Sequence, residues 1–207
     1  MDKLLGPIVL DDISISPNYR KSHWVEAFAN NDWKRMVDIF RSRIESRFLK
    51  PIRLIASDCD IGKFSGFSIL TLDCLIIETL SQFYSGLDET QGDHRMAFWK
   101  FFKNSEFFKD QFSRKKAFTF YSHYRCGILH QAQTKKKSLV RTDQGTMVQL
   151  VGKDISEGLI VDRTIFHFAL EQEISSYMEK LRKGGNKNIK LRANFVKKMN
   201  ILCDTSQ

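Results

Sequence analysis

One segment, FSILTLDCLIIETL at residues 67–80, constrains the fold more than any other part of the chain. Drawn as a helix, it is apolar on nearly every side, and Asp73 and Glu78 are its only carboxylates. A helix that is apolar all round belongs in the interior of a protein. Because the two carboxylates interrupt the longest apolar run, we expect no membrane segment. The sequence therefore predicts a central buried helix over about residues 67–84, ended by Gly86.

Weaker patterns predict further helices around this one. In DWKRMVDIFRSRIESRFL apolar residues recur every three or four positions, with Asn31 or Asp32 as the cap and Pro51 as a break or kink. Later helices are expected from Asp93, within SRKKAFTFYSHYRCGILHQAQT, and from Asp162. The predicted fold class is all-α, a bundle of five or six helices. Hydrophobic residues make up 42% of the chain, which is enough for a core of that size.

The helical pattern is interrupted between about residues 135 and 161. There KKKSLVRT and TMVQLV, joined through the turn residues DQG, are typical of a short β-hairpin. We therefore expect one helical domain at residues 1–182, with an extended lead-in at residues 1–20 and the hairpin as an insertion. A basic C-terminal tail follows at residues 183–207.

Charge and cysteine usage narrow the class of protein. The net charge of +9 and the pI of about 9.4 suit a polyanionic partner. The four cysteines form no Cys-x-x-Cys pair, which argues against a structural zinc site and against a small disulfide scaffold. The first residues lack the layout of a signal peptide. These features predict a cytoplasmic protein that uses neither a metal nor a cofactor.

Arg125 and His130 are the leading candidates for chemistry. They are five residues apart in a predicted helix, so their side chains leave the axis about 140° apart with a rise of about 7.5 Å. Arg can hold a phosphate by two parallel hydrogen bonds, and His can move protons near neutral pH. Together they suggest phosphoryl chemistry on a nucleic acid without a metal.

The same two residues carry a resemblance to a known family. Arg125 and His130, with four residues between them, match the R-x4–6-H motif of the HEPN superfamily, and the order of the helices is similar over about residues 30–182. Members are small all-helical domains, and many are metal-independent ribonucleases of toxin–antitoxin, phage-defence and CRISPR systems. The resemblance implies a homodimer that cuts RNA where two copies meet, with an antitoxin as a further partner if the protein is a toxin.

The resemblance also implies roles for the two motif residues. Arg125 would bind the scissile phosphate and stabilise its growing charge, and His130 would act as general base or general acid. In many family nucleases a polar Asn, Asp or His follows the Arg, whereas here the residue is Cys126. This leaves a second reading open: a non-catalytic HEPN-like module that binds RNA, a nucleotide or a partner protein.

Several other polar residues are expected to support the site. Glu78 is a candidate partner of Arg125, although Arg43 and Arg47 are alternatives. His123, Cys126 and His130 lie on one helical face and could bind zinc, but a fourth ligand is missing, so no metal is predicted. The supporting residues are Glu78, His123, Tyr124, Cys126 and Gln131. The expected RNA-binding residues are Lys135, Lys136, Lys137, Lys183, Lys187, Lys190 and Arg192.

Overall fold

Nine α-helices make up most of residues 12–204, the part of the chain that this computed structural model describes. The prediction of a mainly helical fold is therefore confirmed. In chain order the helices are α1 Lys21–Ala29, α2 Trp33–Ile44, α3 Lys50–Ser57, α4 Gly66–Ser85, α5 His94–Asn104, α6 Arg114–Phe120, α7 Cys126–Gln131, α8 Arg163–Lys183 and α9 Ile189–Leu202.

Helix α4 lies in the core, as its composition predicts. Leu70, Ile77 and Leu80 are fully buried in it, and it packs against α5, α8 and α9. Gly86 ends the helix in the left-handed conformation (φ 63°), which glycine adopts without strain. Among the described helices, α4 alone is long and apolar enough to cross a membrane, and its packing against the other helices explains the same composition.

Aromatic rings join helices that are distant in sequence. The rings of Phe40 in α2, Phe83 in α4 and Phe195 in α9 meet with centroids 4.7 to 5.8 Å apart. Phe195 and Met199 are fully buried. The segment expected as a basic tail therefore contains a helix, α9, that contributes side chains to the core, because its apolar face finds partners on α2 and α4.

The sequence predicts a break or kink at Pro51, but the chain remains helical through that residue. A π-helical turn, Glu45–Leu49, joins α2 to α3, and the Lys50 N–H bonds to the Glu45 carbonyl. Proline is tolerated at the start of a helix, where a missing N–H costs little. The irregularity thus falls one turn before Pro51, which occupies the first turn of α3.

The helix that carries the motif is also continuous. A second π turn, Tyr121–Arg125, joins α6 to α7, as expected for a segment of about five turns. Ser113 caps its start by accepting a hydrogen bond from the Lys116 N–H at 3.3 Å. Single π turns in helices often occur at functional sites. Arg125 is the last residue of this turn, and His130 lies in α7.

A two-stranded sheet lies where the extended lead-in is expected. Strands β1, Ser14–Ser16, and β2, Tyr19–Arg20, pair antiparallel just before α1. The rest of the expected lead-in, residues 1–11, lies outside the described residues.

The predicted hairpin between residues 135 and 161 is wrong in its pairing. Strands β3, Leu139–Arg141, and β4, Val148–Leu150, do not pair with each other. Instead β5, Leu159–Asp162, lies between them, parallel to β3 and antiparallel to β4. The reason is burial: β5 contributes Leu159 and Val161, both fully buried, and takes the central position.

Asp162 connects this sheet to α8. Its carboxylate accepts from the N–H groups of Thr164 and Ile165, which confirms the expected cap, and from the N–H of Gln144 in the turn after β3. The sheet is thereby held against the start of α8, next to the end of the motif helix.

Candidate active site at Arg125 and His130

The end of the motif helix is closed by a tight reversal of the chain. Ala132 adopts a left-handed conformation (φ 52°), and the Lys135 N–H donates to the His123 carbonyl at 3.0 Å. A Cβ at Gly127 would lie 2.6 Å from the carbonyl oxygen of Gln133. Glycine inside the motif therefore lets the returning chain pass close to α7 and brings the lysines after it toward His123.

Arg125 is held by Glu78 on α4. Its Nε donates to Glu78 Oε1 at 2.7 Å, and its Nη2 lies 3.3 Å from Oε2. The guanidinium also lies over the ring of Tyr121, 5.8 Å from the centroid. The hydrogen bond and charge of Glu78 raise the pKa of Arg125. The expected contact between Glu78 and Arg125 is present, whereas Arg43 and Arg47 bond to backbone carbonyls before α1.

Part of the Arg125 guanidinium remains available. Its side chain is 19% exposed and that of Glu78 14%. Among the described residues, no hydrogen bond engages Arg125 Nη1. The guanidinium is thus fixed in orientation by one edge and keeps a donor for an incoming anion.

His130 is open to solvent in the last turn of α7. It forms no hydrogen bond within the described part of the chain, and none joins it to Arg125. The α-helical segment between them separates the two by a rise of about 7.5 Å and a turn of about 140°.

His123 forms a hydrogen bond within the protein and is less exposed to solvent than His130. Its Nδ1 lies 2.9 Å from the hydroxyl of Ser138, which also accepts from the Leu159 N–H at 3.1 Å. Burial lowers the pKa of His123, and the charges of Lys135 and Lys136 lower it further. His123 is therefore neutral near pH 7 and connects the helix to the sheet.

The other supporting residues differ in accessibility. Tyr124 is fully buried, and its hydroxyl bonds to the carbonyls of Leu139 and Leu159. The Tyr124 side chain therefore joins the motif helix to the sheet by hydrogen bonds, and it is not exposed for contact with an RNA base. Cys126 is half-buried and Gln131 is exposed. Burial, followed by the hydrogen bond and charge of Cys126, raises the pKa of Tyr121 to about 12.

The expected RNA-binding residues separate into free and engaged cations. Lys136, Lys187 and Lys190 are exposed and form no ion pair within residues 12–204, and half-buried Lys135 also has none. Lys137 pairs with Glu157 at 2.9 Å, and Lys183 with Glu179 at 3.3 Å.

The guanidinium of Arg192 is engaged in contacts between helices. Its guanidinium donates to the carbonyls of Leu181 and Arg182 at the end of α8 and lies 4.0 Å from the centroid of the Trp33 ring. These contacts join α9 to α8 and α2. A cation engaged in this way is less available to RNA phosphates than the exposed lysines.

An open apolar groove lies beside the motif, between α4 and α7. Its wall is formed by Phe67, Ser68, Thr71, Leu72, Ile128 and Ala132. On the same two helices Leu75 and Leu129 are 37% and 40% exposed. Exposed apolar surface next to polar residues is typical of an interaction site.

Sequence reasoning missed the partner of Asp73. The carboxylate is fully buried in α4, and its Oδ1 lies 2.7 Å from Nδ1 of His167 in α8. His167 Nε2 is 3.6 Å from Glu171, which pairs with Arg53 at 2.5 Å. Burial alone would lower the pKa of His167, but Asp73 and Glu171 raise it. A carboxylate in an apolar helix signals such a partner, although its identity depends on which helix packs there.

Metal-ligating side chains converge at one exposed place within the described residues. Asp58, Cys59 and Asp60 lie in the loop after α3, where Asp58 accepts from the N–H groups of Asp60 and Ile61 and so caps the turn. His123, Cys126 and His130 do not bring their donor atoms together in this way.

Comparisons of this chain with known proteins find no match. No model of a protein family, no curated protein and no solved structure matches it.

Proposed function

We propose that this protein is a metal-independent endoribonuclease of the HEPN type, in which Arg125 and His130 are the catalytic residues. The observation that carries the proposal is the state of the two side chains. Arg125 is oriented by Glu78 yet keeps a free guanidinium nitrogen, and His130, five residues later, is open to solvent. A structural Arg–His pair would be engaged at both members.

The chemistry follows from these two groups. A base removes the proton of a ribose 2′-OH, whose oxygen attacks the adjacent phosphorus, and the bond to the 5′-oxygen breaks. An acid returns a proton to that leaving oxygen, so the products are a cyclic phosphate and a 5′-hydroxyl. Arg125 binds the non-bridging oxygens and stabilises the charge of the transition state. The need for a 2′-OH restricts cleavage to RNA.

The proton transfers favour a homodimer. The reaction needs both a base and an acid, and His130 is the solvent-open histidine of this site, since His123 is tied to Ser138. A second copy would supply the second His130. The groove between α4 and α7, with the exposed Leu129, is the surface that we propose the two copies share. Lys135 and Lys136 would then extend a positive rim for RNA.

A non-catalytic binding module is the second candidate. Cys126, a weakly polar residue next to Arg125, favours it, because many family nucleases carry Asn, Asp or His at that position. For the cellular role we rely on the resemblance alone. The family implies either a cytoplasmic toxin that an antitoxin controls or a phage-defence effector.

The deciding experiment is RNA cleavage in EDTA. We expect the parent protein to cut mixed RNA, and Arg125→Ala and His130→Ala to lose at least about 10²-fold in rate while keeping their helical circular dichroism. Arg114→Ala, in the same continuous helix, and Gln133→Ala, just beyond it, are matched controls that keep full activity. Cleavage that survives in both site variants contradicts the proposal, and salt-dependent RNA binding without cleavage in the parent favours the module.

A further inference from the structure

A cavity of about 520 Å³ lies among α4, α5, α8 and the loop that connects α4 to α5. Its volume is in the range of about 300–1,000 Å³ that is usual for small-molecule sites. None of the proposed catalytic or RNA-binding residues lines it. Any ligand it takes is therefore separate from the RNA site.

A buried carboxylate lines this cavity. Glu173 of α8 is 4% exposed, and its two oxygens accept from the Tyr84 hydroxyl at 2.6 Å and the Ser105 hydroxyl at 2.5 Å. Both partners are neutral, and no cation lies within ion-pair distance of Glu173 in the described part of the chain. Burial, together with the nearby charge of Glu173, raises the pKa of Tyr84.

Glu173 has capacity for a further partner. A carboxylate offers about four acceptor positions, of which Tyr84 and Ser105 use one each. A buried carboxylate without a cation is costly, and the cost falls when a cationic or charge-assisted donor arrives. Two adjacent N–H groups in one plane match the two oxygens of a carboxylate.

The remaining walls define the other parts of a ligand. The side chains of Tyr84 and Phe101 offer aromatic surface, against which a flat group packs. Lys100 and Lys180 also line the cavity, and both residues are exposed to solvent. Lysine is a common ligand of phosphate and carboxylate.

We infer that this cavity binds a small molecule with a planar pair of N–H donors, which meet Glu173, and an anionic group, which Lys100 and Lys180 hold. The base and phosphate of guanosine monophosphate have these features, with a flat ring for Tyr84 and Phe101. The guanidinium and carboxylate of free L-arginine offer the same two ends. The proposal is independent of RNA cleavage.

Calorimetric titration tests the inference. We expect guanosine monophosphate or L-arginine to bind with a Kd below about 1 mM, and adenosine monophosphate and L-ornithine, which lack two adjacent N–H donors in one plane, to bind at least about tenfold more weakly. The ligand that binds identifies the source of the donor edge. Glu173→Gln should weaken binding at least about tenfold, because the amide replaces one acceptor by a donor. Glu179→Gln, exposed on the same helix, should leave it unchanged.

Two further variants keep the test decisive. If Glu173→Gln does not fold, Ala97→Phe fills the cavity without touching the carboxylate and should abolish binding. Arg125→Ala should leave the Kd unchanged, which separates this cavity from phosphate binding at the proposed RNA site. The inference is overturned if neither ligand binds the parent, or if binding persists in the filled variant.

Discussion

Arg125 and Glu78, 47 residues apart in sequence, meet through two nitrogen–oxygen contacts of 2.7 and 3.3 Å. The pair links α4, the core helix, to the motif helix at the residue where its π turn ends. The acidic residue thereby fixes one edge of the guanidinium. In the proposed nuclease Glu78 is a positioning residue, since it acts through Arg125.

Replacing Glu78 should affect turnover more than substrate binding. In Glu78→Gln the charge is lost and Arg125 can rotate, so we expect kcat for RNA to fall between about tenfold and 10²-fold with KM changed little. Glu78→Asp, which keeps the charge at shorter reach, should recover part of the rate. Equal rates in the parent and in Glu78→Gln would show that Arg125 needs no orientation from α4.

Gly127→Ala should destabilise the protein. The added Cβ would lie 2.6 Å from the Gln133 carbonyl oxygen and 3.2 Å from the Lys135 nitrogen, and both are backbone atoms that cannot step aside cheaply. We expect a loss of about 1–3 kcal/mol in the free energy of unfolding, measured with urea. Cys126→Ala, one residue earlier, serves as the control for helix propensity. Equal midpoints for Gly127→Ala and the parent would contradict the close approach.

The pair of Asp73 and His167 should make stability depend on pH. Asp73 and Glu171 raise the pKa of His167, after the opposing effect of burial, and burial raises the pKa of Asp73. A pKa raised on folding contributes stability that is complete below the unfolded value, about 6.5 for His, and is lost as pH rises through the folded value. We therefore expect the urea midpoint to fall between about pH 6 and pH 9.

The control for this pH effect is His167→Asn, which cannot titrate. The charged groups facing His167 are Asp73 and Glu171, with Arg53 opposing, and all three remain in the variant. The difference in midpoint between the two pH values should shrink in His167→Asn. An unchanged difference would assign the dependence to other groups.

Leu129→Lys should break the proposed dimer. Leu129 is 40% exposed and directly follows Ile128, which lines the apolar groove between α4 and α7. In the proposed dimer a charge there would have to be buried in the shared surface. Light scattering after size exclusion should find the parent as a dimer and the variant as a monomer with reduced cleavage. Leu54→Lys, on the 61% exposed Leu54 of α3, should leave the mass unchanged.

Phe195→Ala tests whether α9 belongs to the core. Phe195 is fully buried against Trp24, Phe40 and Phe83, so truncation should cost about 3–5 kcal/mol of unfolding free energy. Ile189→Ala at the exposed start of α9 should change it by less than about 0.5 kcal/mol. A loss of similar size in both variants would contradict the packing.

Local signals predict the helices and their caps well. Asp32 and Asp162 accept from N–H groups two or three residues ahead, a contact that depends only on neighbouring residues. Gly86 ends α4 for an equally local reason. The basic residues of the last 25 positions obscured α9, since its apolar face is short and needs the rest of the core as a partner.

The residues of the candidate site also divide into those that the local sequence predicts and those that depend on packing. Arg125, His130 and the carboxylate of Glu78 are recognisable in the sequence as residue types in unusual places. A carboxylate in an apolar helix predicts a cationic partner for Glu78, and Arg125 is one of three candidates for that partner. The partner of Asp73, the cavity around Glu173 and the burial of Tyr124 are not visible, because each depends on residues 15 to 94 positions apart.

The amino-acid sequence by itself determined where most helices begin and end and that α4 is buried, because capping and hydrophobic periodicity act over a few residues. Only the tertiary structure decided that β5 lies between β3 and β4, that α9 joins the core, and which cations and carboxylates meet. Those outcomes depend on competition among distant surfaces for burial and for hydrogen-bond partners, and that competition is settled when the helices pack.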